Sequence, residues 1–249
     1  MTNLSRPPSG DRLHPNIQRW IYEQQWTELR EVQARAINAI GLTESDVILA
    51  AATASGKTEA AFLPILSSIT DVSVPSFQVM YVGPVRALIN DQFLRLEPLC
   101  EKLKIPVVKW HGEVQDSMRR QARERPAGVL LITPESLEAL FVRRPEVLLR
   151  MFGSLRFIVI DELHTFLSTE RGIQLASLLK RLEKQLAIQP RRVGLDGVKL
   201  AELDHNLERS KYDALIPRKL LQQSAAKDRL NAAAIPGVAE SLRREIETA

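Results

Sequence analysis

The sequence has little that could cross-link it or anchor it in a membrane. Cysteine occurs once among 249 residues, as Cys100, so no disulfide can form within the chain. A single thiol suits a reducing compartment, and we expect a cytoplasmic protein. No apolar run reaches the roughly 20 residues of a membrane span, and the N-terminal stretch MTNLSRPPSGDRLHP lacks the apolar core of a signal peptide. No membrane partner is therefore expected.

Aromatic residues and net charge are also scarce. Phe, Trp and Tyr make up 5% of the chain, so a broad aromatic platform for stacking bases is not expected. The formal net charge is +4, and the whole excess lies in residues 1–195, because residues 196–249 carry equal numbers of basic and acidic side chains. This charge permits a polyanionic partner without requiring one. A run of arginines, Arg119, Arg120, Arg123 and Arg125, is typical either of a solvated helix face or of a contact with nucleic acid.

Short apolar segments alternate with segments of helical periodicity through the middle of the chain. Strands are predicted at residues 47–51, 78–83, 106–110, 128–133 and 156–161. Helices are predicted between and after them, for example at 86–103 and 173–186. Near-continuous apolar strands interleaved with helices indicate a parallel sheet covered on both faces. The predicted fold class is therefore α/β.

The two ends of the chain lack this alternation. Residues 1–16 are predicted to be a flexible lead-in, because Pro, Ser and Gly are frequent there. The alternation stops near residue 195, where we place a domain boundary. Residues 196–249 are predicted to be a helical tail with no obvious strand, in which Pro217 and Pro236 break short helices.

The segment AATASGKT at residues 51–58 follows a predicted strand and opens a predicted helix. This is the context of a phosphate-binding loop, in which backbone N–H groups and the helix N-terminus bind phosphates. Lys57 can reach the terminal phosphates of a nucleotide as a point charge, and the Thr58 hydroxyl can ligate Mg²⁺. The other residues predicted to bind nucleotide here are Thr53, Ala54, Ser55 and Gly56. The alternative is a chance G-K-T sequence in a turn, because Ala51 occupies the position where the strict pattern has glycine.

The segment IVIDELH at residues 158–164 places two carboxylates at the end of an apolar strand. Asp161 can hold Mg²⁺, directly or through water, and Glu162 can orient and deprotonate an attacking water. Alone, an Asp-Glu pair after a strand is more often a solvated turn. Because it follows a phosphate-binding loop and lies at the same predicted sheet edge, the pair is predicted to be catalytic.

Together these two motifs resemble those of superfamily 2 DExH/DEAD-box helicases. Four further segments extend the resemblance in the order typical of that family: TELREVQARAI (27–37), YVGPVRALINDQ (81–92), WHGE (110–113) and LLITPESLEALF (130–141). The W-H-G and T-P-E-S-L sequences are most similar to the large-helicase-related (Lhr-like) group. The resemblance implies a RecA-like P-loop NTPase domain over residues 17–195, with ATP and Mg²⁺ as cofactors. It also implies single-stranded or partly duplex DNA or RNA as a partner.

The resemblance assigns roles to single residues. Gln33 would read adenine, and His164 would couple the nucleotide site to the grip on nucleic acid. The nucleic-acid backbone would run along Pro84, Arg86, Ala87, Gly112, Thr133, Pro134 and Glu135. Backbone contacts of this kind are largely independent of base sequence.

The resemblance stops at residue 195. In this family R-x-V-G-L is followed by Ser-Ala-Thr, a motif that contacts the DExH histidine, whereas here Asp196, Gly197 and Val198 stand in its place. Residues 196–249 are too few for a second RecA-like domain, which would need on the order of 150 residues. The arginines that reach ATP from that second domain in the family are therefore not expected in this chain.

Three interpretations remain open. The first is the first motor domain of a helicase, which hydrolyses ATP slowly if at all unless a second RecA-like domain is supplied in trans. The second is a non-catalytic protein that binds nucleic acid or a helicase partner. The third is the product of an internally deleted helicase gene, whose sheet would expose an edge if residues 192–198 cannot form a strand. A metabolic kinase is disfavoured, because it leaves Gln33 and the T-P-E-S-L segment unexplained.

Overall fold

The structure is a computed structural model, and it describes residues 10–51, 55–69, 74–167 and 169–197. The predicted helical tail lies outside the described residues from position 198 onward. Thr53 and Ala54, two of the predicted nucleotide-binding residues, also lie outside them. None of the described helices combines the length and the apolar character that a membrane span requires.

Six parallel strands form one sheet in the order β1-β6-β5-β2-β4-β3. The strands are β1 (Val47–Ala50), β2 (Phe77–Val82), β3 (Val107–Trp110), β4 (Gly128–Ile132), β5 (Phe157–Ile160) and β6 (Arg191–Asp196). Every residue of β2, β4 and β5 is buried, as expected for strands with helices on both faces. The predicted parallel α/β sheet is therefore confirmed.

In the part of the chain that the structure describes, eight α-helices cover the two faces of the sheet. They are α1 (Pro15–Glu23), α2 (Glu31–Leu42), α3 (Lys57–Ser68), α4 (Arg86–Leu103), α5 (Asp116–Glu124), α6 (Pro134–Arg143), α7 (Leu148–Phe152) and α8 (Glu170–Leu186). Short 3₁₀ turns occupy Gly10–Arg12, Pro145–Val147 and Leu163–Thr165. Helices α1 to α4 pack on one apolar cluster, and α5 to α8 pack on the other. Alternate residues of β2 enter the two clusters, since successive side chains of a strand point to opposite faces.

The flexible lead-in predicted over residues 1–16 is wrong for the described residues 10–16. Leu13 is buried in the apolar cluster under α1, and the His14 side chain accepts a hydrogen bond from the backbone N–H of Asn16. Pro15 is the first residue of α1. At this position the backbone N–H makes no hydrogen bond within the helix, so proline costs nothing by lacking it. The proline that suggested a linker therefore begins a helix.

The last strand is complete and internal, contrary to the possibility that residues 192–198 leave an edge exposed. Strand β6 pairs with both β1 and β5, so the edges of the sheet are β1 and β3. Asp196 is the final residue of this strand and is fully buried, and its carbonyl accepts from Ala51 N. The folded domain therefore continues past the boundary predicted at residue 195.

Arg191 at the start of β6 holds the end of α2, a role that its sequence context did not reveal. Its guanidinium donates to the carbonyl oxygens of Ala39 (2.8 Å), Ile40 (2.6 Å) and Ser45 (2.5 Å). It also donates to the Thr43 hydroxyl at 3.0 Å. The last carbonyls of a helix have no partner within the helix, and a cation near them is favourable. Arg191 thereby fixes α2, the helix that carries Gln33, against the sheet.

Candidate nucleotide and nucleic-acid sites

The predicted site residues meet at one edge of the sheet. Apart from Gln33 on α2, each of their segments among the described residues follows the carboxyl end of a strand, and in a parallel sheet these ends lie together. The segments begin at Ser55 after β1, Pro84 after β2, His111 after β3, Thr133 after β4 and Asp161 after β5. Asp196 ends β6 at the same edge. The topology therefore gathers motifs that are widely separated in the sequence.

The N-terminus of α3 is shaped like an anion site. Gly56 precedes the helix with φ at +81°, a left-handed conformation that favours glycine. Glycine has no side chain that could cap the helix. The first N–H groups of this 12-residue helix therefore have no side-chain partner at the N-cap. Lys57 Nζ donates to Ala51 O at 2.7 Å, which holds its charge beside the end of β1. Ser55 Oγ is buried and has no hydrogen-bond partner among the described residues, so it is a polar group suited to a ligand.

Gln33 lies directly against this loop. It is 3% exposed, and its Oε1 accepts from Arg30 N at 3.0 Å within the first turn of α2. A Cβ atom at Gly56 would stand only 2.8 Å from Gln33 Nε2, so the two segments approach closely here and the Gln33 side chain would have to shift to admit a larger residue. The structure thus brings the predicted adenine-reading residue beside the predicted phosphate loop.

Asp161 is 5% exposed and is held by a donor on each carboxylate oxygen. Tyr81 Oη donates to Oδ2, and Glu162 N donates to Oδ1 at 2.9 Å. Burial raises the pKa of Asp161, while the hydrogen bonds and the positive charge of Lys57 act in the opposite direction. Lys57 therefore acts electrostatically on Asp161. Tyr81 was not predicted as a site residue, since in the sequence it is one apolar position of a buried strand.

Glu162 adopts an unusual backbone conformation beside Asp161. Its φ is +47°, in the left-handed region that glutamate rarely occupies, and such strain is common at functional sites. Its side chain is 33% exposed, and Oε2 lies 3.5 Å from His164 Nδ1. Burial and the neighbouring Asp161 raise the pKa of Glu162 above its ordinary value. A carboxylate with a raised pKa is a better proton acceptor.

His164 is held by Asp196, the residue that departs from the family pattern. The backbone N–H of His164 donates to Asp196 Oδ2 at 2.7 Å, and its Nδ1 lies 3.1 Å from Asp196 Oδ1. The sequence after Leu195 supplies no hydroxyl of a Ser-Ala-Thr motif, but a buried carboxylate makes the contact with the histidine. The negative charge of Asp196 also contributes to the raised pKa of Asp161 and of Glu162.

The segments after β2 and β4 are joined by Arg171 in the first turn of α8. Its Nη2 donates to Pro84 O at 2.7 Å, and its Nε and Nη2 donate to Glu135 Oε1 at 3.0 and 2.6 Å. Burial alone would raise the pKa of Glu135, but hydrogen bonds from its own backbone and from Arg171 hold it below the ordinary value. Arg171 was not predicted, because a charged residue near a helix start has many surface roles.

Thr133 is the N-cap of α6, as the order Thr-Pro at this position suggests. Its Oγ1 accepts from Ser136 N at 3.4 Å, and Pro134 occupies the first turn. The N-terminus of α6 therefore lies at the same sheet edge as the N-terminus of α3, with its first N–H groups already bonded to Thr133 and Glu135.

Arg86 and Ala87 lie in the first turn of α4, and Arg86 pairs with Glu113 in the turn after β3. Asn90 Oδ1 lies 3.2 Å from His111 Nε2, which links α4 to the same turn. A Cβ atom at Gly112 would meet no atom within 4 Å, so local packing does not require glycine there. The turn therefore leaves open space at Gly112.

The arginine run on α5 is engaged locally. Arg119 pairs with Asp116, Arg120 pairs with Glu124 at 4.0 Å, and the Arg123 guanidinium lies 5.7 Å from the Trp110 ring centroid. These contacts favour the solvated helix face over a dedicated contact with nucleic acid.

A family model described as DEAD/DEAH box helicase matches residues 30–195. The ATP-dependent helicase Lhr-Core of Methanothermobacter thermautotrophicus is 30% identical over 201 residues, which cover 74% of this chain and 23% of that protein. The Lhr helicase/probable uracil glycosylase of Mycolicibacterium smegmatis is 34% identical over 180 residues, 66% of this chain and 12% of that protein. The chain thus spans less than a quarter of the length of these relatives.

Solved helicase structures have the same fold. The Mycobacterium smegmatis helicase Lhr bound to ssDNA and AMP-PNP superposes with a TM-score of 0.68 at 28% identity, covering 77% of this chain and 25% of that one. Mss116p bound to ssRNA and AMP-PNP superposes with a TM-score of 0.70 at 17% identity, covering 82% of this chain and 42% of that one, which is a likeness of fold alone. The predicted RecA-like fold is confirmed, and the chain belongs to the DEAD/DEAH box helicase family.

Proposed function

We propose that this chain binds ATP with Mg²⁺ and nucleic acid, as the first motor domain of a superfamily 2 helicase. One observation carries the proposal. The positive charge of Lys57 acts on the carboxylates of Asp161 and Glu162 at the same sheet edge, and this interaction connects the phosphate loop with the two carboxylates. The left-handed Gly56 and the buried, unsatisfied Ser55 Oγ support a phosphate ligand at this loop.

Thr58 and Asp161 suit Mg²⁺. Both offer oxygen ligands, and Mg²⁺ is usually held by one or two protein oxygens together with water and substrate phosphates. The described residues contain no group of three or more His, Cys, Asp or Glu side chains that could form a closed metal cage, which agrees with a site completed by substrate. When bound, Mg²⁺ would offset negative charge on the phosphates.

The reaction proposed is hydrolysis of the terminal phosphoanhydride of ATP by water. Lys57 stabilises the negative charge that develops on the terminal phosphate, Glu162 accepts a proton from the attacking water, and Gln33 binds the adenine. His164, held by Asp196, connects this site to the nucleic-acid face. The arginines of a second RecA-like domain, which can raise turnover by about 10³–10⁵, would come from outside the described domain, in trans or from elsewhere in a longer protein.

The nucleic-acid face is proposed to comprise the segments that begin at Pro84, Gly112 and Thr133. The positive end of the α6 helix dipole, together with the Arg86 guanidinium, would attract phosphates of single-stranded or partly duplex DNA or RNA. Binding through phosphates should weaken steeply as salt rises and should depend little on base sequence.

The test is steady-state ATP hydrolysis by the purified chain with and without single-stranded DNA and RNA, using Glu162→Gln as the blank. We expect slow turnover that nucleic acid stimulates above the blank.

A second function, non-catalytic binding, is favoured by the extra buried carboxylate of Asp196 beside Asp161 and Glu162. It would be identified by salt-sensitive binding of nucleic acid without turnover above the blank. Absence of both nucleotide and nucleic-acid binding would contradict both functions.

Replacing Arg171 by glutamine should weaken binding of single-stranded nucleic acid about five- to tenfold, the order of one charge-assisted hydrogen bond. The change releases the Pro84 carbonyl and Glu135, so the two segments lose their common anchor. Fluorescence anisotropy of a labelled oligonucleotide at fixed salt measures this affinity.

Arg181→Gln on the same helix is the matched control, because Arg181 lies over the Phe141 ring, away from Pro84 and Glu135. Nucleotide affinity should stay unchanged in both variants. Equal oligonucleotide affinity in the Arg171 and Arg181 variants would contradict a role for Arg171 in arranging the nucleic-acid face.

A further inference from the structure

We propose that Tyr81 is a positioning residue that orients the Asp161 carboxylate toward the magnesium-binding position. This inference rests on the proposed function, because it assigns a further residue to the same nucleotide site. Tyr81 lies on β2, which pairs with β5, and Asp161 directly follows β5. The Tyr81 Oη donates to Asp161 Oδ2. Together with Glu162 N on Oδ1, it fixes the rotation of the carboxylate from both sides.

Two donors still leave Asp161 able to bind a metal. A carboxylate oxygen has about two acceptor positions, and each oxygen of Asp161 uses one for Tyr81 or Glu162. One acceptor position therefore remains on each oxygen. The hydrogen bonds define the plane of the carboxylate and hence the directions in which those positions point.

The Tyr81 ring cannot move away from this contact. The main chain fixes its base, because Tyr81 pairs with Val159 in the β2–β5 register and Asp161 N donates to Val82 O at 3.0 Å. The ring also packs against Phe62 of α3, with centroids 6.2 Å apart. A Cβ atom at Gly83 would stand 3.1 Å from Tyr81 Cε1, so the glycine leaves room for the ring. The donor is held before any ligand arrives.

A tyrosine hydroxyl at this position needs Asp161. Tyr81 is fully buried, and an unpaired hydroxyl in an apolar core is unfavourable. Burial and the nearby negative charge of Asp161 raise the pKa of Tyr81 far above its ordinary value, so the group stays protonated and remains a donor.

Without the hydroxyl, Lys57 would compete for the carboxylate. The positive charge of Lys57 already acts on Asp161 across the site. An Asp161 side chain freed on its Oδ2 side would be drawn toward that charge, since the other oxygen alone is held by Glu162 N. Tyr81 therefore keeps the magnesium carboxylate and the phosphate-binding lysine apart.

The experiment compares Tyr81→Phe with Tyr22→Phe, a matched control at a tyrosine that is 71% exposed. Binding of a fluorescent ATP analogue is measured in EDTA and during a Mg²⁺ titration. In EDTA, affinity should be equal in all three proteins. The Mg²⁺ concentration for half-maximal enhancement should rise about tenfold in Tyr81→Phe only, since partners of metal ligands typically contribute 10- to 100-fold to metal affinity.

Each other outcome overturns the inference in a recognisable way. An unchanged Mg²⁺ midpoint in Tyr81→Phe would make Tyr81 a core residue only, and an equal loss of affinity with and without Mg²⁺ would indicate damage to the loop. Wild-type protein that binds no nucleotide in either condition would refute the proposed function, and the inference with it.

A second variant guards against misfolding of Tyr81→Phe. Gly83→Ala keeps the hydroxyl, but its Cβ would stand 3.0 Å from Ile89 Cδ1 and 3.1 Å from Tyr81 Cε1, so it should press on the ring and raise the Mg²⁺ midpoint by a smaller factor. Thermal unfolding of each variant shows whether the fold is retained. A Gly83→Ala protein that folds and has a wild-type Mg²⁺ midpoint would count against positioning by the ring.

Discussion

Replacing Lys57 by alanine should reduce ATP affinity at least about 100-fold, the order expected when a charged donor to phosphate is lost. Lys57 stands in the first turn of α3, where the helix N-terminus is already favourable for anions. Its ammonium adds a side-chain charge that the family pattern directs to the terminal phosphates. Equilibrium binding of a fluorescent ATP analogue measures the loss.

Lys180→Ala is the matched control, because Lys180 is exposed on α8. It should bind nucleotide like the wild type. Because Lys57 Nζ also donates to Ala51 O, thermal unfolding of Lys57→Ala should be compared with that of the wild type to exclude a collapsed loop. Unchanged ATP affinity in a folded Lys57→Ala protein would overturn the location of the nucleotide site.

Replacing Glu162 by glutamine should lower ATP turnover about 10²- to 10⁴-fold, the usual contribution of a positioned general base, while nucleotide binding is retained. Glutamine has nearly the same shape as glutamate, but its amide cannot accept a proton from water. The raised pKa of Glu162 makes the wild-type carboxylate a stronger acceptor than an exposed glutamate, which increases what the substitution removes.

The control for this substitution is Glu170→Gln, at an exposed position in the first turn of α8. Its turnover should equal that of the wild type in a nucleic-acid-stimulated assay. A Glu162→Gln protein that hydrolyses ATP as fast as the wild type would show that another group, or no base at all, activates water in this chain.

The sequence predicted the central strands well because of their burial. A strand with helices on both faces is apolar at nearly every position, as at Gly128–Ile132, and turns or polar residues delimit such runs. The lead-in was misjudged for the converse reason. Proline content is a local property, whereas the packing of Leu13 and the hydrogen bond from His14 N to the Ser67 hydroxyl depend on elements far along the chain.

The site was predictable where a motif carries its chemistry locally, and not where the partner is distant. Gly56, Lys57 and Asp161 were found from spacing after a strand. Tyr81 was missed because its partner Asp161 lies 80 residues away, and nothing in a buried apolar strand distinguishes a bonded tyrosine from a packed one. Arg171 was missed for the same reason, since its partner Pro84 lies 87 residues away. The roles of the motif residues in binding and catalysis stay predictions.

The internal position of β6 has a consequence for how the protein is made. Strand β1, which leads into the phosphate loop, has β6 as its sole neighbour in the described sheet, and β6 is its last strand along the chain. During synthesis, β1 leaves the ribosome near the beginning yet must wait for residues 191–196 before it can join the sheet. The loop that leads into α3 therefore has no neighbouring strand to support it until residues 191–196 have been synthesised, and the proposed nucleotide site can form only after that point.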